Sequence, residues 1–117
     1  MIYISKQKEK YPHFRKYVKK EGGKKKKAKH PKLIVERVGN QYGFMGLTES
    51  SKRGHHSNIP LSKNPQKGKF KEPAYIRKEL RYDKTDNFSE ILSDYKLISK
   101  DKKTILDFVK KLKQKKK

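Results

Sequence analysis

The chain has 117 residues, with 34 Lys or Arg against 12 Asp or Glu and a formal net charge of +22. Hydrophobic residues are 31% of it, below the roughly 45–50% of an average globular protein, so it can bury one modest core and leave basic extensions outside. The absence of Cys excludes disulfides, thiolate zinc sites and thiol catalysis, and no apolar run approaches the roughly 18 residues of a membrane span.

A charge of this size needs an anionic partner. Nucleic-acid phosphate is the expected one, with affinity that falls as salt rises. The rival, an anionic membrane surface, would call for a lipidation signal or a strongly apolar helix face. No Gly follows Met1, and there is no Cys to acylate. The apolar start Met1-Ile2-Tyr3-Ile4 runs at once into charge and is too short for a signal peptide, so a cytoplasmic protein without a membrane partner is expected.

Residues 1–29 hold 12 Lys or Arg and two acids, Glu9 and Glu21, and read as a basic N-terminal extension. Tyr11, Phe14, Tyr17 and Val18 can share one face of a short helix over 12–20, with Pro12 in its first turn and Gly22-Gly23 at its end. The plainer reading of this segment is a flexible arm. Lys24, Lys25, Lys26 and Lys27 form a charge run that can add sequence-independent affinity or merely solubility.

The texture changes at Pro31. Leu33-Ile34-Val35 predicts a buried strand, Gly39-Asn40 a turn, and Tyr42 to Leu47 a second strand in which Gly43 and Gly46 permit close approach or a bulge. Residues 49–57 read as a loop. Asn58-Ile59-Pro60-Leu61 suits a short edge strand, because Pro60 donates no hydrogen bond. Residues 63–73, with two prolines, Gly68 and several lysines, form a second loop.

From Ala74 to Tyr82 the chain alternates. Ala74, Ile76, Lys78, Leu80 and Tyr82, a mostly apolar set, are expected to face the core, with Tyr75, Arg77, Glu79 and Arg81 opposite. Ile105, Phe108, Val109 and Leu112 follow helical spacing, with Ser99 or Asp101 as the cap. The fold class is therefore mainly β with a C-terminal helix, built as a small bent sheet or barrel over residues 30–113, with a basic tail at 114–117.

Four segments in order carry a resemblance: His30-Pro31-Lys32-Leu33-Ile34-Val35, Gly46-Leu47-Thr48-Glu49-Ser50-Ser51-Lys52-Arg53, Asn58-Ile59-Pro60-Leu61 and Ala74-Tyr75-Ile76-Arg77. Their order resembles that of the MazF/PemK family of toxin endoribonucleases. The Asp83-Lys84-Thr85-Asp86-Asn87-Phe88 stretch and the helix from Lys100 occupy the family's last two places. The resemblance implies an SH3-like barrel, usually homodimeric, that cuts single-stranded RNA without a metal or other cofactor. It also implies a partner, an acidic antitoxin protein.

Such cleavage uses the ribose 2′-hydroxyl as nucleophile and needs a proton acceptor, a proton donor and a fixed positive charge. By the resemblance, Thr48 matches the family's active-site threonine and Arg77 its phosphate-clamping arginine. Glu79 stands where some members carry an acid, as base or as a group that orients Arg77. His30 departs from the pattern, since an arginine usually precedes that proline. An imidazole can donate to phosphate when protonated or accept a proton near neutral pH.

Each of these residues also has a plainer reading. Thr48 can be a turn hydroxyl, Arg77 and Glu79 a surface pair, and His30 an exposed histidine. His55 and His56 are adjacent, with no Cys and few acids nearby, so no metal site is expected. With Lys52, Arg53 and Lys63 they read as loop residues that touch phosphate or stack on a base. Tyr42, Phe44 and Tyr75 are candidate stacking platforms, with Phe44 reading better as core. The alternative function is a non-catalytic nucleic-acid-binding SH3-like barrel, such as a ribosome-associated protein or a mobile-element accessory protein.

Overall fold

The computed structural model describes residues 10–21, 24–27, 30–53 and 56–114. It is mainly β with one C-terminal helix. The elements in chain order are β1 His13–Glu21, β2 Lys24–Lys27, β3 Lys32–Val38, β4 Gln41–Thr48, β5 Lys52–Arg53, β6 His56–Ser57, β7 Ile59–Pro60, β8 Tyr75–Ile76, β9 Arg81–Lys84, a 3-10 turn Thr85–Asn87, β10 Phe88–Ile91 and α1 Ser99–Gln114.

Eight strands form one antiparallel sheet whose path runs β10-β1-β3-β4-β8-β7, with β2 added to β1 and β9 to β4. The path is open: β10 and β7 stand at its two ends. The sheet accordingly has the expected strand content, whereas a closed barrel ladder is not formed along it. β5 and β6 make a separate small hairpin within the 49–57 loop.

The spine is β4, and its sequence explains why. All of Tyr42 to Thr48 is buried, and successive side chains alternate between faces. Met45 and Leu47 join Leu33, Val35, Ile76, Ile105 and Val109 in one core, while Tyr42 and Phe44 join Ile34 in a second. The helix closes the first core. Tyr11, Tyr17 and Phe88 close the second, with Phe88 edge-on to both Tyr42 and Phe44. The β3–β4 turn is a two-residue Gly39-Asn40 loop with positive φ at Gly39 alone, the pattern of a II′ hairpin.

The expected helix over 12–20 is a strand instead. β1 lies inside the sheet, with Phe14 paired to Leu33 of β3 and Tyr17 to Phe88 of β10. Phe14 is 1% exposed, and burial of a large apolar side chain contributes roughly 1.5–3 kcal/mol, enough to draw this basic segment into the sheet. The lysine run follows it: Lys24 to Lys27 pair with Glu21 back to Val18 as β2. The single strand expected over 74–82 is broken in two. Ala74 and Ile76 are buried, but Tyr82 is 38% exposed, because the chain leaves the ladder between β8 and β9.

Two polar devices fix the helix. Asp101, expected as a cap of its own helix, instead reaches across the fold. Its two carboxylate oxygens each accept from the Ser62 amide at 3.0 Å, and one also accepts from the Lys63 amide at 3.3 Å. At the other end of α1, Lys113 donates to Glu36, which also accepts from the Tyr82 hydroxyl. Burial alone would push the Glu36 carboxyl up, but the hydrogen bonds from Lys113 and Tyr82 and the ammonium charge outweigh it and hold the group below its usual value. Burial, then the bond to Glu36 and its charge, push the Tyr82 phenol up to about 12. No helix of the described residues is long and apolar enough to cross a membrane.

Candidate functional site

The register of three strands builds a cleft. Lys32 at the start of β3 pairs with Gly46 near the end of β4, and Leu47 and Thr48 pair with Ile76 and Tyr75 of β8. One end of the sheet therefore gathers the start of β3, the end of β4 and the exit of β8. The cleft there is about 470 Å³ and is lined by His30, Lys32, Thr48, Arg77, Glu79 and Arg81, with Gly46 to Ser50 as its floor.

All four residues singled out for catalysis thus line one cleft, although they are spread over 50 positions of sequence. His30 and Glu79 approach from opposite sides of β4, because the sheet order is β3-β4-β8. His30 is half-buried and also lines the adjoining cleft.

Arg77 is placed by Gly46. Its amide donates to the Gly46 carbonyl at 2.8 Å, and its side chain crosses the space a Cβ at position 46 would take, which would stand 3.1 Å from Arg77 Cδ. Thr48 is 6% exposed and its Oγ1 accepts from the Ser50 amide at 3.1 Å. That bond uses a lone pair and leaves the hydroxyl proton able to donate. The turn that follows is held by Asn58, whose side chain donates to the Ser50 carbonyl at 2.9 Å and whose amide donates to the Ser51 carbonyl at 2.8 Å. The Glu79 carboxylate lies 3.4 Å from Arg81 Nε, with both side chains 52% exposed. An exposed pair of this kind contributes only about 0–1 kcal/mol. Arg81 also stands 5.0 Å over the Phe44 ring.

The other candidates lie elsewhere. Lys52 is exposed on β5. Arg53 pairs in register with His56 in the β5–β6 hairpin, and His55 lies outside the described residues. Lys24, Lys25, Lys26 and Lys27 are in β2, on the far end of β1. Lys63 sits on the loop gripped by Asp101, with its ammonium 4.2 Å from the centre of the Phe70 ring. Tyr75 is half-buried between Thr48 and Pro60. Tyr42 and Phe44 are 4% and 2% exposed, so neither is an open stacking platform.

Lys32 and Arg81 line the cleft without having been singled out from the sequence. The signal for Arg81 was present in the Arg77, Glu79, Arg81 alternation, which puts all three on one side. For Lys32 the signal was its place directly after Pro31 at a strand start.

With three Lys or Arg against two carboxylates, and one imidazole at its edge, the cleft suits a phosphodiester. Comparison with known proteins adds no relative: no family model, no curated protein and no solved structure matches this chain.

Proposed function

We propose that this protein binds single-stranded RNA in the His30–Arg77 cleft and cleaves it there without a metal ion, in the manner of the MazF/PemK ribonucleases it resembles. The observation that carries the reading is the convergence of His30, Thr48, Arg77 and Glu79 on one cleft. Arg77 forks onto two non-bridging oxygens of the phosphate and offsets the charge that grows on the phosphorane. The Thr48 hydroxyl donates to one of the same oxygens.

Glu79 and His30 flank the phosphate and divide the proton transfers between them. Glu79 takes the 2′-hydroxyl proton as the 2′-oxygen bonds to phosphorus. The imidazolium of His30 gives its proton to the 5′-oxygen as the P–O5′ bond breaks. The products are a 2′,3′-cyclic phosphate and a 5′-hydroxyl. Approach from opposite sides of β4 suits an in-line displacement, in which nucleophile and leaving group stand on opposite sides of phosphorus.

A second reading, a non-catalytic RNA-binding domain, is favoured by two contacts: the Thr48 oxygen already accepts from Ser50, and Glu79 is paired with Arg81. One gel separates the two. Long single-stranded RNA is incubated with the protein in EDTA, beside a variant carrying Thr48→Ala and Arg77→Ala. Discrete fragments ending in cyclic phosphate from the wild type, and none from the variant, support the ribonuclease. Intact RNA that is nevertheless retarded on a native gel by the wild type supports the binder and removes the enzyme.

A further inference from the structure

The cleft at Arg77 does not end at His30. His30 and Pro31 also line a second cleft of about 600 Å³, walled by Lys16 and Tyr17 of β1 and by Lys67 and Tyr95. Lys67 and Asp94 in turn line a third hollow of about 360 Å³, bounded by Lys63, Phe70 and Lys96. His30 is common to the first two, and Lys67 and Asp94 are common to the last two, which sets the three in a row as one track. Along it stand seven Lys or Arg against three carboxylates, Glu49, Glu79 and Asp94.

At the far end the track presents an aromatic ring with no place in the core. Phe70 is 52% exposed, and the Lys63 ammonium stands 4.2 Å from its ring centre. The loop that carries it is tied down on every side. Asp101 grips Ser62 and Lys63, the Asn64 side chain donates to the Glu72 carbonyl at 3.2 Å, and the Lys67 amide donates to the Asp94 carbonyl at 2.8 Å. Gly68, at φ +88, makes the turn. A rigid loop that holds an exposed ring beside a cation offers a stacking platform whose ordering cost is already met by the fold.

We infer that a single RNA strand lies along this whole track, with its phosphates on Lys67 and Lys63 and a base stacked on Phe70, away from the Arg77 cleft. The inference rests on the RNA reading given above but not on cleavage. It predicts a length threshold: a trinucleotide fills the Arg77 cleft alone, and a longer strand also reaches Phe70.

The chain has no tryptophan, so Phe70→Trp supplies a lone indole whose fluorescence a stacked base quenches. The probes are 2′-O-methylated oligouridines, which cannot be cleaved, as a trinucleotide and as a strand of about ten nucleotides. The expected result is quenching by the longer strand and none by the trinucleotide. Phe70→Ala should weaken the longer strand about tenfold in fluorescence anisotropy and leave the trinucleotide unchanged. Arg77→Ala should weaken both.

Phe70→Ala binding both strands as the wild type does, with Arg77→Ala still defective, would overturn the track while the Arg77 site stands. Equal loss of both strands in Phe70→Ala would place the trinucleotide at Phe70 and overturn the assigned path. Failure of the wild type to bind either strand would overturn the RNA reading itself.

Discussion

Arg77 lies across Gly46: its amide donates to the Gly46 carbonyl at 2.8 Å, and its aliphatic stem passes 3.1 Å from where a Cβ would stand. A glycine in the middle of a strand usually weakens it. Here it lets the stem of Arg77 lie close against the strand. Gly46→Ala should therefore act on Arg77 more than on the fold. The contact to give way is the stem of a side chain, so the unfolding free energy should fall by less than about 1 kcal/mol. RNA affinity should fall towards that of Arg77→Ala, roughly 10- to 150-fold below wild type, since a lost charge-assisted contact costs about 1.5–3 kcal/mol. Anisotropy titration beside urea denaturation checks both halves. A loss of stability without a loss of affinity would contradict the placement.

Asp101 should be among the most costly single residues to remove. It is 2% exposed, and it satisfies the amides of Ser62 and Lys63 across the fold. Asp101→Ala leaves those amides without their acceptor, at about 3 kcal/mol. Asp101→Asn keeps one acceptor oxygen and should cost less than half as much. Equilibrium urea unfolding of the two variants tests the order, which would invert if bulk at this position mattered more than hydrogen bonding.

The Lys113–Glu36–Tyr82 chain ties the end of α1 to β3 and β9 and makes stability depend on pH at both extremes. A carboxyl held low in the folded state stabilises the fold above its unfolded value of 4.5, and this contribution is lost as pH falls through the lower folded value. A phenol held high works in reverse: its contribution is present below pH 10.0 and disappears as pH rises towards about 12. Tyr82 is 38% exposed, so solvent screening keeps the alkaline effect small. Unfolding midpoints measured against pH should show an acid loss that Glu36→Gln lacks, and an alkaline loss that Tyr82→Phe lacks.

Salt should separate the short site from the long track. Three cations line the Arg77 cleft, Lys32, Arg77 and Arg81. For a single strand each neutralised phosphate contributes about 0.7 to the slope of log affinity against log salt, so a trinucleotide, which carries two internucleotide phosphates, should show a slope of about −1.4. With Lys16, Lys63, Lys67 and Lys96 added along the track, the longer strand should show about −5. Affinities measured over a range of potassium chloride concentrations give both slopes. Equal slopes for the two lengths would confine binding to the cleft.

What could be read from the sequence was what local pattern alone decides. The β3–β4 hairpin follows from Leu33-Ile34-Val35, Gly39-Asn40 and the apolar run to Leu47, and the helix follows from Ile105, Val109 and their neighbours. β1 was hidden by its spacing: Phe14 and Tyr17, three residues apart, fall on opposite faces of a strand. Phe14 then faces one core and Tyr17 the other, and the aromatic spacing imitates a helical period. The Lys24–Lys27 strand has no apolar signal of its own, since the pairing that defines it comes from β1. The cleft residues were recognisable by type and order, and Arg81 and Lys32 carried a local signal that strand register turned into a place in the cleft. Phe70 was invisible for another reason. A lone aromatic in a lysine-rich loop gains meaning only when the loop is seen to be tied to Asp101 and Asp94.

The place of β1 between β3 and β10 has a consequence for synthesis. Its first partner in the path, β3, follows it closely in sequence, whereas Arg15 must wait for Ile91, and Tyr17 for Phe88, to leave the ribosome. Non-local pairing of this kind slows folding. Until β10 arrives, Phe88 cannot cover Tyr42 and Phe44, and the sheet face that supports Arg81 stays open. The cleft is therefore encoded early and assembled late: every residue lining it is already synthesised before the strand that completes its supporting core.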